Sequence, residues 1–118
     1  MKKRTTSTQT RTDYVPVTTA ETNEMGMLPV CGLLQAIARH NDAVTTSFYG
    51  TTSVTSIYCR RYHVEFAGNA YGGDTLRITS AWQQNNGQLD VVLNVSKKLK
   101  GKLQTICHGQ FSFIYQLA

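Results

Sequence analysis

The segment ETNEMGMLPVCGLLQAIARHND, Glu21 to Asp42, sets two acids and an amide directly ahead of an apolar run. Asn23 cannot act as a base, but it can orient a water or a carbonyl. Glu21 and Glu24 are the nearest carboxylates, and a carboxylate beside an apolar pocket can have a raised pKa and take a proton. Pro29 suits the first position of a helix, where its missing N–H costs nothing. The amides of Val30 and Cys31 then have no acceptor inside the helix and sit at its partly positive end. Backbone donors of this kind can polarise a carbonyl whatever their side chains are. The catalytic candidates are therefore Asn23, Glu24, Glu21, Val30 and Cys31, with Asp42 and Glu65 as weaker acids. The competing reading is that Asn23, Glu24 or water caps these amides and that both glutamates are solvated loop acids.

Positive charge forms a second set. The net charge is +5, gathered in Lys2, Lys3 and Arg4, then Arg60 and Arg61, then Lys97, Lys98, Lys100 and Lys102. Such clusters attract phosphate, on a nucleic acid or on a small nucleotide-bearing substrate. Any one of these lysines is equally at home as solvated surface charge. Arg60 is unusual, because simple alternation puts it on one face with Tyr58, Tyr62 and Val64. A buried guanidinium needs a partner, so either a bulge turns it outward or it serves a dimer seam or a phosphate.

Cys31, Cys59 and Cys107 are odd in number and widely spaced, with no CxxC or Cys/His ligand spacing, so no metal site is expected. Unpaired thiols fit a reducing cytosol, and a cytoplasmic location is expected. Cys107 reads as a buried small residue, since nothing near it in sequence lowers its pKa. His40, His63 and His108 read as surface or strand histidines.

The elements that must position these residues follow from pattern. A chain of 118 residues, 41% hydrophobic, suits one folded domain. No apolar run is long enough to cross a bilayer, and no apolar segment follows the charged start, so no secretory leader is expected. Residues 1–12 read as a flexible or edge-strand arm, and 13–118 as the single domain. Tyr14 to Thr19 reads as a strand whose Pro16 belongs at an edge or an end. Leu28 to about Val44 reads as the one helix. Between Val30 and Ala38 only Gly32 and Gln35 are not apolar, which implies burial over most of the girth. After Gly50 everything reads as strand. Val54 to Phe66 alternates imperfectly, Gly68 to Asp74 is a loop, and Leu76, Ile78 and Trp82 share a face. Asn85-Asn86-Gly87 marks a hairpin, because the turn needs positive φ. Leu89, Val91, Leu93 and Val95 alternate, KLKGK marks a second hairpin, and Phe111, Phe113 and Tyr115 share a face of the last strand. The class is α+β: a strand, a helix, then antiparallel strands whose apolar face needs that helix as its cover.

From Tyr14 to Tyr115 the chain resembles the hot-dog-fold acyl-CoA thioesterases of the 4-hydroxybenzoyl-CoA and phenylacetyl-CoA type. The resemblance lies in Asn23-Glu-Met-Gly26 before the helix, in YHVEFAGNAYGGDTLRI, and in GKLQTICHGQFSFI. It implies an antiparallel five-stranded curved sheet wrapped around one central helix. It also implies a homodimer, with a dimer of dimers as an option, and hydrolysis of acyl-CoA or acyl-carrier thioesters at a site between subunits. No cofactor is implied, coenzyme A entering as part of the substrate. Family members carry Asp, Asn or Gln three residues before a glycine, then often His-Gly-Gly, then an acid further along the helix. Asn23 and Gly26 match. Pro29, Val30 and Cys31 occupy the His-Gly-Gly positions, and Ala38 falls where the acid belongs. Tyr58 and Cys59 are the groups a partner subunit would bring. Gly26, Tyr58, Cys59, Arg60, Lys97, Lys98, Lys100 and Lys102 are the substrate-binding candidates, the lysines for the phosphates of coenzyme A. Two other readings keep the fold: a non-catalytic acyl- or CoA-binding protein, and a hydroxyacyl dehydratase, although no histidine stands in the dehydratase motif. A basic nucleic-acid-binding sheet requires aromatics exposed together on one surface. Here they are expected to cover the helix.

Overall fold

The structure, a computed structural model, describes residues 8–51 and 54–117. Lys2, Lys3 and Arg4 lie outside the described residues. Strand β1 (Gln9–Pro16) leads through a short 3-10 turn, Thr19–Glu21, to helix α1 (Val30–Thr51). Strands β2 (Val54–Phe66), β3 (Thr75–Asn85), β4 (Gln88–Leu99) and β5 (Lys102–Leu117) follow. They form one five-stranded sheet in the order β1-β3-β4-β5-β2, every neighbouring pair antiparallel. No helix of the described residues is long and apolar enough to cross a membrane.

Both hairpin turns form where their residues require. Asn86 and Gly87 take φ of 49° and 81°, and Lys100 and Gly101 take 53° and 79°. Two consecutive residues of positive φ match the right-handed twist of the flanking strands. Alternation puts Leu89, Val91, Leu93 and Val95 inward, none more than 1% exposed. Leu76, Ile78 and Trp82 are buried on the same face of β3, and Phe113 and Tyr115 on that of β5. Phe48 of α1 meets the Tyr115 ring edge-on at 4.7 Å. Trp82, Phe113 and Tyr115 are buried on the helix side as expected, but Tyr58, Tyr62 and Phe66 of β2 are 60%, 68% and 46% exposed and do not cover the helix within one chain.

Helix α1 departs from expectation in length and in girth. It runs past Val44 to Thr51. The polar residues after Ala38 do not end it, because His40 and Asn41 face inward and Val44 and Phe48 continue the stripe begun by Leu33, Ala36 and Ile37. That stripe has helical spacing and is a single face. Burial over most of the girth is not found within one chain: Val30 and Leu34 are 55% and 40% exposed, and Cys31 and Ala38 are exposed with them. The open sheet covers one side of the helix and leaves a second apolar side bare.

Strand β2 lies at the free edge of the sheet, and its register on β5 shifts between Cys59 and Arg61. A bulge of this kind reverses the inward and outward order of the side chains beyond it. Cys59 therefore pairs with Phe113 and Tyr62 with Phe111, on the helix side, whereas Tyr58 pairs with Ile114. Tyr58 does not share a face with Tyr62, Val64 and Phe66, as simple alternation had it. Arg60 sits in the bulge and is exposed, the first of its expected alternatives.

Candidate functional site

The loop before α1 is held by its own amides and by the loop of residues 67–74. Asn23 Oδ1 accepts hydrogen bonds from the Met25 and Met27 amides at 2.9 and 3.1 Å. Gly26 has φ of 76°, a value side chains strain to adopt, and its carbonyl accepts the Gly72 amide at 3.0 Å. Met27 bridges Tyr71, and the Leu28 amide bonds to the Ala70 carbonyl at 2.8 Å. The chain therefore enters α1 along a fixed path. Within the helix entry the first bonds are Gly32 and Leu33 to the Pro29 carbonyl, at 3.0 and 3.1 Å. Among the described residues, none accepts a hydrogen bond from the amides of Val30 or Cys31. Both residues are exposed, so these donors stand open at the positive end of the helix. Asn23 does not cap them, because its oxygen is already committed to the loop.

The two glutamates separate. Glu21 is fully exposed and accepts from the Thr18 amide and hydroxyl at 3.0 and 2.8 Å. Those bonds lower its pKa, the opposite of the raised value a resting base would have there. Glu24 stays exposed beside Asn23, with no hydrogen bond among the described residues.

The lysines separate too. Lys97 is 6% exposed, donates to Asp74 Oδ2 at 2.9 Å, and lies 4.9 Å from the centre of the Tyr71 ring. Asp74 also accepts the Tyr71 amide at 2.8 Å. Burial pushes the Asp74 pKa up, but Lys97 and the Tyr71 amide outweigh it, and the carboxyl is held below its ordinary value. Lys97 thus locks the glycine-rich loop against β4 and is not free for a substrate phosphate. Lys98, Lys100 and Lys102 are exposed around the β4–β5 turn. That turn lies at the same end of the sheet as residues 67–74 and the start of α1, because Ala67 and Gly68 bond to the Ile106 carbonyl and Thr75 pairs with Pro16. Arg77, not anticipated from sequence, joins Lys98 and Tyr14 in an open hollow of about 460 Å³.

A groove of about 350 Å³ runs between α1 and β2. Leu34, Ala38 and Asn41 form one wall, Cys59 and Tyr62 the other, and Phe113 lies between. The Tyr62 and Phe111 rings stack at 6.1 Å. Asp42 also lines it, one turn beyond Ala38 on the same side of the helix. Tyr58 and Arg60, on the other face and in the bulge, do not reach the helix entry within one chain. Exposed Cys31 and Cys59 are free thiols. Cys107 is buried, and burial raises its pKa to about 11, which leaves it inert.

One cluster escaped the sequence reading. His40 is 2% exposed; its Nδ1 meets Asp13 Oδ2 at 2.7 Å and its Nε2 meets Ser80 Oγ at 2.6 Å. Arg11 Nε donates to the same Asp13 oxygen at 2.9 Å. Burial lowers the His40 pKa, Asp13 opposing it in part, so the ring is neutral near pH 7. A neutral ring that faces a carboxylate donates from Nδ1, and Nε2 then accepts from Ser80. The arrangement has the polarity of a hydrolase triad, but Ser80 is 1% exposed and lines neither the groove beside β2 nor the hollow at Arg77. It ties β1, α1 and β3 together, with the Ser80 hydroxyl buried. His40 is thus neither a surface nor a strand histidine. His40 following the buried helix stripe, with Ser80 interrupting the apolar face of β3, was the signal available.

No family model matches this chain, and no curated protein matches it in sequence. Solved structures do. A 4-hydroxybenzoyl-CoA thioesterase from Pseudomonas superposes with a TM-score of 0.69 at 11% identity, covering 92% of this chain and 85% of that one. A 1,4-dihydroxy-2-naphthoyl-CoA thioesterase from Synechocystis gives 0.71 at 15%, over 92% and 83%. A Streptococcus mutans protein bound to acetyl-CoA gives 0.74 at 13%, over 96% and 90%. At such identities the likeness is one of architecture, and with the sheet order and the single helix above it establishes that the chain has the hot-dog fold.

Proposed function

We propose that this protein hydrolyses acyl-CoA or acyl-carrier thioesters at the entry of α1, in a site completed by a second copy of the chain. The observation that carries the reading is the open pair of amides at Val30 and Cys31, the place where a thioester oxygen gains most from fixed donors. The Asn23 amide, its oxygen held by Met25 and Met27, has its nitrogen left to orient the thioester or the attacking water. Glu24 takes the proton from that water. The water oxygen adds to the carbonyl carbon, the C–S bond breaks, and the sulfur leaves as a thiol that takes back the proton held by Glu24. Lys98, Lys100 and Lys102 draw the coenzyme phosphates to the same end of the molecule. The solved neighbours that act on or carry CoA thioesters support the substrate class.

What one chain leaves uncovered supports a homodimer. Strand β2 lies at an edge of the sheet with Tyr62 and Phe66 exposed on it, and Val30 and Leu34 of α1 are exposed as well. Unpaired edges and contiguous apolar surface are what a second copy covers. Two exposed free thiols suit a reducing compartment, the cytosol. The dehydratase reading lacks a histidine: His40 is locked in the core, and His63 and His108 are paired with Glu65 and Asn94.

The test is thiol release from a panel of acyl-CoAs by the wild type and by Val30→Pro. The structure starts α1 at Val30, one residue after Pro29, and proline is tolerated in that first position and deletes one donor, so the fold should persist while kcat falls about 100-fold or more. Val30→Ala should keep its activity. Binding of the panel without turnover would establish the non-catalytic acyl-binding reading instead.

A further inference from the structure

We infer that the hollow at Tyr14, Arg77 and Lys98, on the face of the sheet turned away from α1, binds a nucleoside phosphate, with its phosphate on the two cations and its base on the tyrosine ring. The inference goes beyond thioester hydrolysis and rests on the hollow alone.

Strand pairing puts these groups on one surface. Tyr14 pairs with Arg77, and Arg77 with Ser96, two residues before Lys98 on β4. Residues two apart on a strand share a face. Lys98 pairs in turn with Leu103, which also lines the hollow. Leu76 and Ile78, on either side of Arg77, pack in the core with Leu33 and Ile37 of α1, so Arg77 points away from the helix. Charge is left over here. Three basic side chains among the described residues are not fully exposed: Arg11, Arg77 and Lys97. Arg11 has Asp13 and Lys97 has Asp74, but Arg77 has no carboxylate. Asp13 and Asp74, which flank the hollow in sequence, are already committed to those partners, to His40 and to the Tyr71 amide. A half-buried guanidinium without a counter-ion presents the planar fork that matches phosphate.

The apolar surface beside the cations narrows the anion. Tyr14 is 67% exposed and Leu103 55%. Among the described residues no ring stacks on Tyr14 and no cation lies over it, so its face is open to a base. Inorganic phosphate would engage the cations and leave both side chains bare. A simple carboxylate would bring one charge to two cations. A nucleoside phosphate covers all four groups. The volume of about 460 Å³ is in the range of small-ligand sites. Tyr14 is the one aromatic residue in the lining, which provides for one base and not for a strand. The nucleotide end of coenzyme A and a free nucleotide share this chemistry.

Calorimetry at low salt with adenosine 3′,5′-bisphosphate tests this without relying on turnover. The wild type should bind it about tenfold more tightly than inorganic pyrophosphate, because only the nucleotide covers Tyr14. Arg77→Gln should weaken the bisphosphate about tenfold through loss of a charge-assisted pair. Tyr14→Ala should weaken it by a similar factor and leave pyrophosphate binding unchanged. Coenzyme A separates the two sources. Displacement of the bisphosphate by coenzyme A but not by pantetheine makes the coenzyme's nucleotide end the occupant; simultaneous binding makes it a free nucleotide. No binding by the wild type, or equal affinity for pyrophosphate, overturns the inference with no variant needed. Affinity indifferent to either substitution overturns it too, as does tighter binding of a mixed oligonucleotide. Bisphosphate binding without thiol release from any acyl-CoA fails the thioesterase reading and leaves this site standing.

Discussion

Asn23 holds two loop amides through one oxygen, and the proposed site gives its nitrogen the thioester or water to orient, so it bears on stability and chemistry together. Asn23→Ala should cost about 1 kcal/mol in denaturant unfolding, as loss of a comparable cap does, and also lower kcat. Glu24→Gln should leave stability unchanged and reduce kcat about 100-fold or more, the usual contribution of a general base. A Glu24→Gln enzyme with normal turnover would remove that residue from the mechanism. His40 belongs at this scale too. Its folded pKa lies below the ordinary 6.5, so the unfolded chain binds a proton that the folded chain does not. Stability is therefore full above about 6.5 and falls as pH drops below it. The Asp13 carboxyl is lowered from 3.8, chiefly by Arg11, and adds a further loss as pH falls through its folded value. Denaturant midpoints measured from pH 8 down to pH 2 should be flat, then fall below about 6.5 with His40 and again below 3.8 with Asp13. His40→Leu should flatten the upper part of that fall and cost about 2 kcal/mol at neutral pH, because Asp13 and Ser80 lose their partner.

At the scale of elements, the glycine-rich loop and the hairpin lysines separate folding from binding. Lys97→Met leaves Asp74 without its cation, and the loop that clamps the start of α1 loses its tie to β4. A loss of about 2–3 kcal/mol is expected, below the full cost of a deeply buried pair because Asp74 keeps some contact with water. The triple change of Lys98, Lys100 and Lys102 to glutamine should leave the melting temperature unchanged. It should raise KM for acyl-CoA several-fold at low salt, an effect that fades as ionic strength rises. These four lysines look alike in sequence. Alternation along β4 turns Lys97 inward, where Asp74 meets it, and carries the others around the turn into water.

For the whole molecule, the bare side of α1 and the free edge of β2 decide whether there is a site at all. Leu34→Glu puts a charge into the surface that a second copy would cover. Light scattering should then report a monomer, with loss of thioesterase activity but retention of the melting transition, because Leu34 is outside the buried stripe. A dimeric mass for this variant with full activity would place the subunit contact elsewhere.

What the chain specifies by itself is what neighbours in sequence can enforce. Asn86-Gly87 and Lys100-Gly101 adopt positive φ because the turns demand it, β4 alternates because one of its faces is buried, and Pro29 marks the entry of the helix. The open amides of Val30 and Cys31 follow from that entry and were legible before any coordinates. The rest depended on groups distant along the chain. Asp13 and His40 are 27 positions apart, and His40 and Ser80 are 40 apart. Nothing local distinguishes a histidine that fills such a pair from one in water. The bulge at Cys59–Arg61 reverses the faces of β2, and no periodicity within one strand reveals a shift made against its neighbour. The groove between α1 and β2 exists only because an open sheet covers one side of a helix that is apolar on two. Pattern measures how greasy a helix is; the number and placement of strands decide how much of it is covered.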